Sequence, residues 1–181
     1  TAARVGPLDA VVVALDGALP AADFTSDWGR VLAEHAGIVA HIHRDASWAR
    51  AVADHALGME RPVRLVTLTD ATTAGGRSRA QAAAQLARAG RGATGERVSA
   101  FAVSVETPRS VDGQRTGELV AHLLCSREAT ALAGAELVVG PGWFGLRSHP
   151  RPGGTITFGG PSIPDWFDDA LRRIVGDMET R

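Results

Sequence analysis

The chain has 181 residues, a formal net charge of −1 and 45% apolar residues, a composition typical of one globular domain with an ordinary core. Basic and acidic residues are interspersed, and no apolar run approaches the roughly 18–20 residues that span a bilayer, so neither nucleic acid nor a membrane is an expected partner. Tyrosine is absent, and all 19 basic residues are arginine. These absences exclude a tyrosine acid, a lysine Schiff base and a P-loop lysine.

The N-terminus and the cysteine content bear on localisation. The first residues, TAARVGPLDA, lack the charged-then-apolar pattern of a signal peptide. The single cysteine, Cys125, lies in the apolar context HLLC and cannot form an intramolecular disulfide. We therefore predict a cytoplasmic protein in which Cys125 is a buried core thiol rather than a reactive nucleophile.

Apolar β-branched runs alternate with helical patterns along the chain. The first helical region follows an N-cap at Ser26 and is one helix or two segments broken near Arg44 and Asp45, with Trp28 and Trp48 on its core face. Strand, helix and strand repeat at a spacing that predicts right-handed crossovers and a parallel sheet. The predicted strands are 9–15, 63–68, 97–105 and 136–139, and the predicted helices are 26–57, 78–90 and 117–125.

The end of the chain differs in composition. It is rich in Gly and Pro, with a short strand predicted at 155–158 and an amphipathic helix at 164–178. The segment GPGWFG (140–145) follows a strand and precedes no helix, so we interpret it as a turn rather than a phosphate cradle. We divide the chain into an α/β half-domain, 1–140, and a tail with a terminal helix, 141–181.

The order of these segments resembles the short-chain dehydrogenase/reductase family, most closely 3-oxoacyl-ACP-reductase-like members. LDAVVVALDG (8–17) is similar to the family's fourth strand, of whose Asn-Asn-Ala-Gly end only Gly17 remains. SDWGRVLAEHAG (26–37) resembles the Asp-Trp-x-x-Val-Leu-x-x-Asn helix, with His35 at the Asn position. RLVTLTDA (64–71) resembles the strand that delivers the catalytic Ser.

Two later segments extend the resemblance. RVSAFAVSVETP (97–108) is similar to the strand that ends near the nicotinamide, here at Glu106. GELVAHLLCSREATALAGAELVV (117–139) resembles the terminal helix and last strand. The resemblance implies a Rossmann-like, doubly wound parallel sheet that is incomplete, because the family's first three strands and its Gly-rich cofactor loop would precede residue 1.

The family's catalytic residues do not carry over. On alignment at the Ala-rich helix start, the catalytic Tyr falls at Arg77, the Lys at Gln81, the Ser at Thr69-Asp70 and the Asn at His35. Arg cannot deprotonate near neutral pH, and Gln has no charge with which to lower a neighbour's pKa. We therefore interpret these four positions as vestigial and predict no intact catalytic set. The resemblance would place Gly17 and Glu106 at the cofactor.

Other candidate sites compete with this interpretation. His35 and Asp70 would both lie near the carboxyl edge of the sheet and could form an acid–base site with Arg77. No nucleophile is evident beside them, because we interpret Ser78, Thr69 and Thr73 as ordinary loop and cap residues. Arg77 and Arg79 could bind an anion at a helix start, although solvated surface arginines are the favoured interpretation. The HIH segment (41–43) lacks a third ligand, so we predict no metal site.

The function predicted from these residues is that of a degenerate, non-catalytic reductase-like domain that acts in structure or oligomer assembly. One alternative is an NAD(P)-dependent carbonyl reductase whose cofactor-binding half lies outside this chain, and another is a small-ligand or acyl-carrier binding module. We expect no cofactor in this chain itself, and NAD(P) only with a complementing half. Because residues 9–15 form an apolar edge without Lys or Pro, we expect a second copy or a second polypeptide to complete the sheet there.

Overall fold

The computed structural model of the chain describes residues 6–15, 26–107, 109–148 and 162–179. The chain divides into two compact units, Thr1–His149 and Pro150–Arg181. Within the described part of the second unit lies one helix, α5, Phe167–Glu179. The first unit contains the sheet and every candidate site discussed below.

The first unit is an α/β sheet with strand order β1-β2-β3-β4-β5. Its elements are β1 Ala10–Leu15, α1 Asp27–Glu34, α2 Ile38–Met59, β2 Val63–Asp70, α3 Ala74–Ala93, β3 Val98–Val105, α4 Arg109–Cys125, a 3-10 helix Glu128–Leu132, β4 Glu136–Gly140 and β5 Trp143–Ser148. The first four strands are parallel, and β5 pairs antiparallel with β4. The predicted fold class, an incomplete Rossmann-like α/β sheet, is confirmed.

Helices pack on both faces of the sheet, because successive side chains of a strand point to opposite faces. One face packs with α4 in a core of Val66, Phe101, Val103, Val105, Leu123, Ala129, Ala133, Leu137 and Val139. The other face packs with α2 and α3 in a core of Val52, Ala56, Val63, Leu65, Ala87, Val98 and Ala100. On that second face Ala83 and Ala84 of α3 contact Ala102 of β3. Small side chains at this contact let the helix lie close to the strands.

The first helical region breaks at a different place from the one predicted. The two helices end and begin around residues 35–37, where Gly37 has a φ of 74°, a left-handed conformation that glycine adopts without strain. The break predicted near Arg44 and Asp45 is wrong, because both residues lie inside α2. The periodicity of apolar residues continues across residues 35–37, so this pattern does not predict the break between the two helices.

Three predictions of burial are also wrong. Trp28 and Trp48 are 69% and 53% exposed, although we assigned both to the core face of the helix. Cys125, predicted as a core thiol, is exposed. It is the last residue of α4, where the neighbouring Leu123 takes the fully buried position.

The antiparallel strand β5 lies in a segment that we interpreted as turn and loop. The turn consists of Pro141 and Gly142, and pairing with β4 resumes at once. The Trp143 ring covers Gly140, since a Cβ atom there would lie 2.1 Å from the ring. The predicted strand at 155–158 lies outside the described residues.

A buried ion pair joins α2 to α3. The guanidinium of Arg79 donates from Nε and Nη2 to the two carboxylate oxygens of Asp45, both at 2.6 Å. The side chains are 4% and 3% exposed. Arg79 is therefore neither a solvated surface residue nor an anion-binding one, and both interpretations made from the sequence are wrong for it.

We expect Asp45→Asn to destabilise the fold by about 3–5 kcal/mol, because it leaves the buried charge of Arg79 uncompensated. Urea unfolding followed by circular dichroism measures the change. The control is Asp54→Asn, which breaks the exposed pair with Arg50 and should cost under about 1 kcal/mol. Equal losses in the two variants would contradict a structural role for the buried pair.

Candidate functional site

The amino end of α3 is closed by two side chains. Thr73 is the N-cap, and its Oγ1 accepts a hydrogen bond from the amide of Gly76 at 3.0 Å. Oε2 of Glu34, at the carboxyl end of α1, accepts from the amide of Ala74 at 2.7 Å. A carboxylate at this position complements the positive end of the helix dipole, so the protein supplies its own anion where a bound phosphate would otherwise be expected.

The glycine pair at this helix start is required by close backbone packing. A Cβ atom on Gly75 would lie 1.8 Å from the carbonyl oxygen of Glu34, and one on Gly76 would lie 2.3 Å from the carbonyl oxygen of Asp70. The space above both glycines is thus filled by protein backbone. These residues do not fit the diphosphate of a dinucleotide, which needs free amides and open space over the glycines.

His35 contacts a serine that the sequence did not single out. Its Nδ1 lies 2.7 Å from the carbonyl oxygen of Val31, and its Nε2 lies 2.8 Å from Oγ of Ser78. A carbonyl oxygen only accepts hydrogen bonds, so Nδ1 carries the proton, and in the neutral ring Nε2 accepts from the serine hydroxyl. The two residues are 43 positions apart, and no local pattern could have joined them.

The other three vestigial positions make local contacts. Oδ1 of Asp70 accepts from the amide and the hydroxyl of Thr72, at 3.0 and 2.6 Å. Arg77 is exposed, with Nη1 3.5 Å from the carbonyl oxygen of Ala71. Gln81 lies on α3 one turn further and is also exposed. Among the hydrogen bonds described, none joins Asp70 to His35 or to Arg77.

These positions open onto separate clefts. Arg77 lines a polar cleft of about 310 Å³ between α1 and the start of α3, with Arg30, Val31, Glu34, Thr72, Thr73 and Ala74. Gln81 lines a second cleft of about 380 Å³ between α3 and the β4–β5 pair, with Ala82, Ala84, Gln85, Arg88, Glu136, Arg147 and Ser148. The positions aligned with the family's Tyr and Lys therefore face different spaces.

A buried carboxylate lies on the second cleft. Glu136 is 2% exposed, and its Oε1 accepts from Oγ of Ser104 at 2.9 Å and from Arg147 at 3.1 Å. Arg147 also donates to Glu106, and that hydrogen bond raises the pKa of the guanidinium above its ordinary value. The carboxylate of Glu106, which the resemblance assigned to the cofactor, is thus bound by Arg147. Gly17 lies outside the described residues.

The third cleft is apolar and adjoins the first strand. It has a volume of about 310 Å³ and is lined by Val12, Ala14, Leu68, Val105, Gly113, Thr116, Gly117 and Val120. In the described part of the chain, β1 pairs only with β2. The groove lies beside the other edge of β1, which has no strand partner among the described residues.

Within the described ranges, no three His, Cys, Asp or Glu side chains are grouped so that they could hold a metal ion. No helix there combines the length and the apolar character that a bilayer crossing requires.

We expect Gly75→Ala to destabilise the chain by about 3 kcal/mol or more, because its methyl group would clash with the backbone of α1 rather than with a movable side chain. The matched control is Gly90→Ala in the same helix, where no atom lies within 4 Å of the added Cβ. That control should stabilise the helix by about 0.5–1 kcal/mol. Thermal and urea unfolding measure both, and two stabilised variants would refute the close contact.

Comparison with known proteins adds little beyond this geometry. No protein-family model and no curated protein matches the chain. A solved structure that matches is the crystal structure of a short chain dehydrogenase from Mycobacterium avium, with 18% sequence identity and a TM-score of 0.48. The match covers 97% of this chain and 66% of that chain, so this chain spans about two thirds of the dehydrogenase's length. The fold is therefore assigned from the strands and helices of this chain.

Proposed function

We propose that this chain is a short-chain-dehydrogenase-like α/β domain that does not catalyse carbonyl reduction and acts in assembly, by accepting a further strand at β1. The observation that carries the proposal is the apolar edge of β1, which pairs with no strand in the described part of the chain and lies beside an apolar groove. The arrangement of the vestigial positions supports the loss of reductase chemistry.

The chemistry of the vestigial positions offers no proton donor for a carbonyl. A guanidinium such as that of Arg77 does not serve as a proton donor, and exposed Gln81 holds no charge that would lower a neighbour's pKa. Asp70 is bonded to Thr72 within its own turn. A reductase needs an acid and the group that tunes it within contact of each other, and here the two aligned positions line different clefts.

In the described part of the chain, β1 is paired along one edge and covered on one face. Val11 and Val13 pack against the core on the face covered by α2 and α3. On the opposite face Ala10, Val12 and Ala14 are exposed, Val12 by 45%. An apolar strand with an unpaired edge and one uncovered face attracts another β-strand, because pairing satisfies the backbone and burial removes apolar surface from water.

The occupant that fits best is a strand followed by an amphipathic helix, contributed by a second polypeptide. The strand would extend the sheet beyond β1, and the helix would cover the groove between β1 and α4. A second copy of this chain pairing edge to edge would bring a strand but no helix for that groove, because its own α4 packs on its own β2 and β3. Self-pairing therefore leaves the groove open.

The same groove also favours a different role, the binding of a small apolar ligand. Its lining is almost wholly apolar, with Thr116 the one polar side chain, so an acyl chain or another small apolar ligand would also suit it. A ligand of that kind would bind without protecting the backbone of β1 from solvent. Hydrogen exchange of the Ala10, Val12 and Ala14 amides distinguishes the two, since these amides point away from β2 and strand addition slows their exchange.

We expect Val12→Lys to reduce concentration-dependent association of the purified chain, because a charged side chain on an edge strand opposes strand pairing. Light scattering over a range of concentrations measures the association. The matched control is Val39→Lys on α2, a residue 65% exposed, which should leave association unchanged. Slow exchange of the Ala10, Val12 and Ala14 amides in a monomeric wild-type chain would contradict the proposal, because it would show that this edge is already covered.

We expect neither NADH nor NADPH to produce a saturable change in fluorescence with the purified chain, and no reduction of simple carbonyl substrates. An active reductase of the family, measured in parallel, establishes that the assay detects binding and turnover. Specific cofactor binding accompanied by turnover would overturn the non-catalytic proposal and favour an NAD(P)-dependent oxidoreductase.

A further inference from the structure

We propose that Ser78 is a nucleophilic serine, with His35 as its general base, and that it accepts acyl groups from esters. The proposal concerns the junction of α1 and α3 and does not rest on the edge of β1. It stands on the geometry of two side chains and one backbone carbonyl.

The histidine is held in the tautomer that a general base requires. The carbonyl of Val31 accepts the Nδ1 proton at 2.7 Å, which fixes the ring and leaves the lone pair of Nε2 directed at Ser78. A nucleophile, a base within hydrogen-bond reach and a third group that orients the base form the arrangement that activates serine in enzymes. Here a main-chain carbonyl takes the place of the carboxylate.

The hydroxyl of Ser78 makes a contact unusual for a helical serine. Serines inside helices commonly donate to the carbonyl of the residue four positions earlier, as Ser47 does to His43 at 2.9 Å. Ser78 instead bonds to the imidazole of His35 on another helix. Both residues are partly exposed.

The acylation step balances without any further reactant. Oγ of Ser78 forms a bond to the carbonyl carbon of the ester as its proton passes to Nε2 of His35. Collapse of the tetrahedral intermediate breaks the bond between that carbon and the leaving oxygen, which departs with the proton from His35 or, for a weakly basic phenolate, as the anion. Where the leaving group departs as the anion, His35 releases its proton to water. Neutral His35 then accepts a proton from the water that attacks the acyl carbon, and collapse breaks the bond to Oγ, which takes that proton back from His35 as the acid leaves.

The test treats the full chain with p-nitrophenyl acetate and with a fluorophosphonate probe. We expect a burst of p-nitrophenolate and a single labelled peptide that contains Ser78, identified by mass spectrometry. His35→Gln should slow acylation by on the order of 100-fold, the usual contribution of a general base. Ser78→Ala should remove the labelled peptide, and Ser47→Ala, which changes an exposed serine, should leave the burst unchanged.

The mapping of the label in the wild-type chain keeps the proposal falsifiable even if a variant unfolds. Circular dichroism establishes that each variant retains the fold. Label spread over several exposed serines, no label at all, or a burst that persists in folded Ser78→Ala would each overturn the proposal. A folded His35→Gln variant that reacts at the wild-type rate would overturn the role of His35.

Discussion

The contact between the carboxyl end of α1 and the amino end of α3 is the constraint on which the candidate sites depend. The backbone of Glu34 lies against Gly75 so closely that no side chain fits between them. That contact brings the Glu34 carboxylate to the Ala74 amide and the His35 ring to Ser78. Capping, packing and the serine–histidine pair are thus three consequences of one crossing of helices.

The order and type of most elements follow from the sequence, because strand and helix signals are local. The run at residues 9–15 and the alternation up to β4 predict a parallel sheet, and the sheet has that form. The strand β5 was not predicted, because Gly and Pro dominate its surroundings. The turn at Pro141 and Gly142 follows from the sequence, but the packing of the Trp143 ring over Gly140 has no sequence signature.

The candidate sites were much less predictable, because they arise from contacts between distant segments. The chemical types absent from the chain, Tyr and Lys, could be established from composition alone. The contact partners of the residues that are present could not be established in this way. Arg79 looked like a surface residue until Asp45 of another helix was beside it, and Ser78 looked like an ordinary helical serine until His35 was. Burial and partnership are properties of the fold rather than of the local pattern.

The exposure of the tryptophans has a spectroscopic consequence. All four, Trp28, Trp48, Trp143 and Trp166, are between 47% and 69% exposed. With no tyrosine in the chain, its ultraviolet emission comes from indoles that already face water in the folded state. Emission should therefore shift little on unfolding, whereas any event that covers one of these rings should move it to shorter wavelength. The wavelength of tryptophan emission should therefore report contact of the chain with other molecules better than it reports folding.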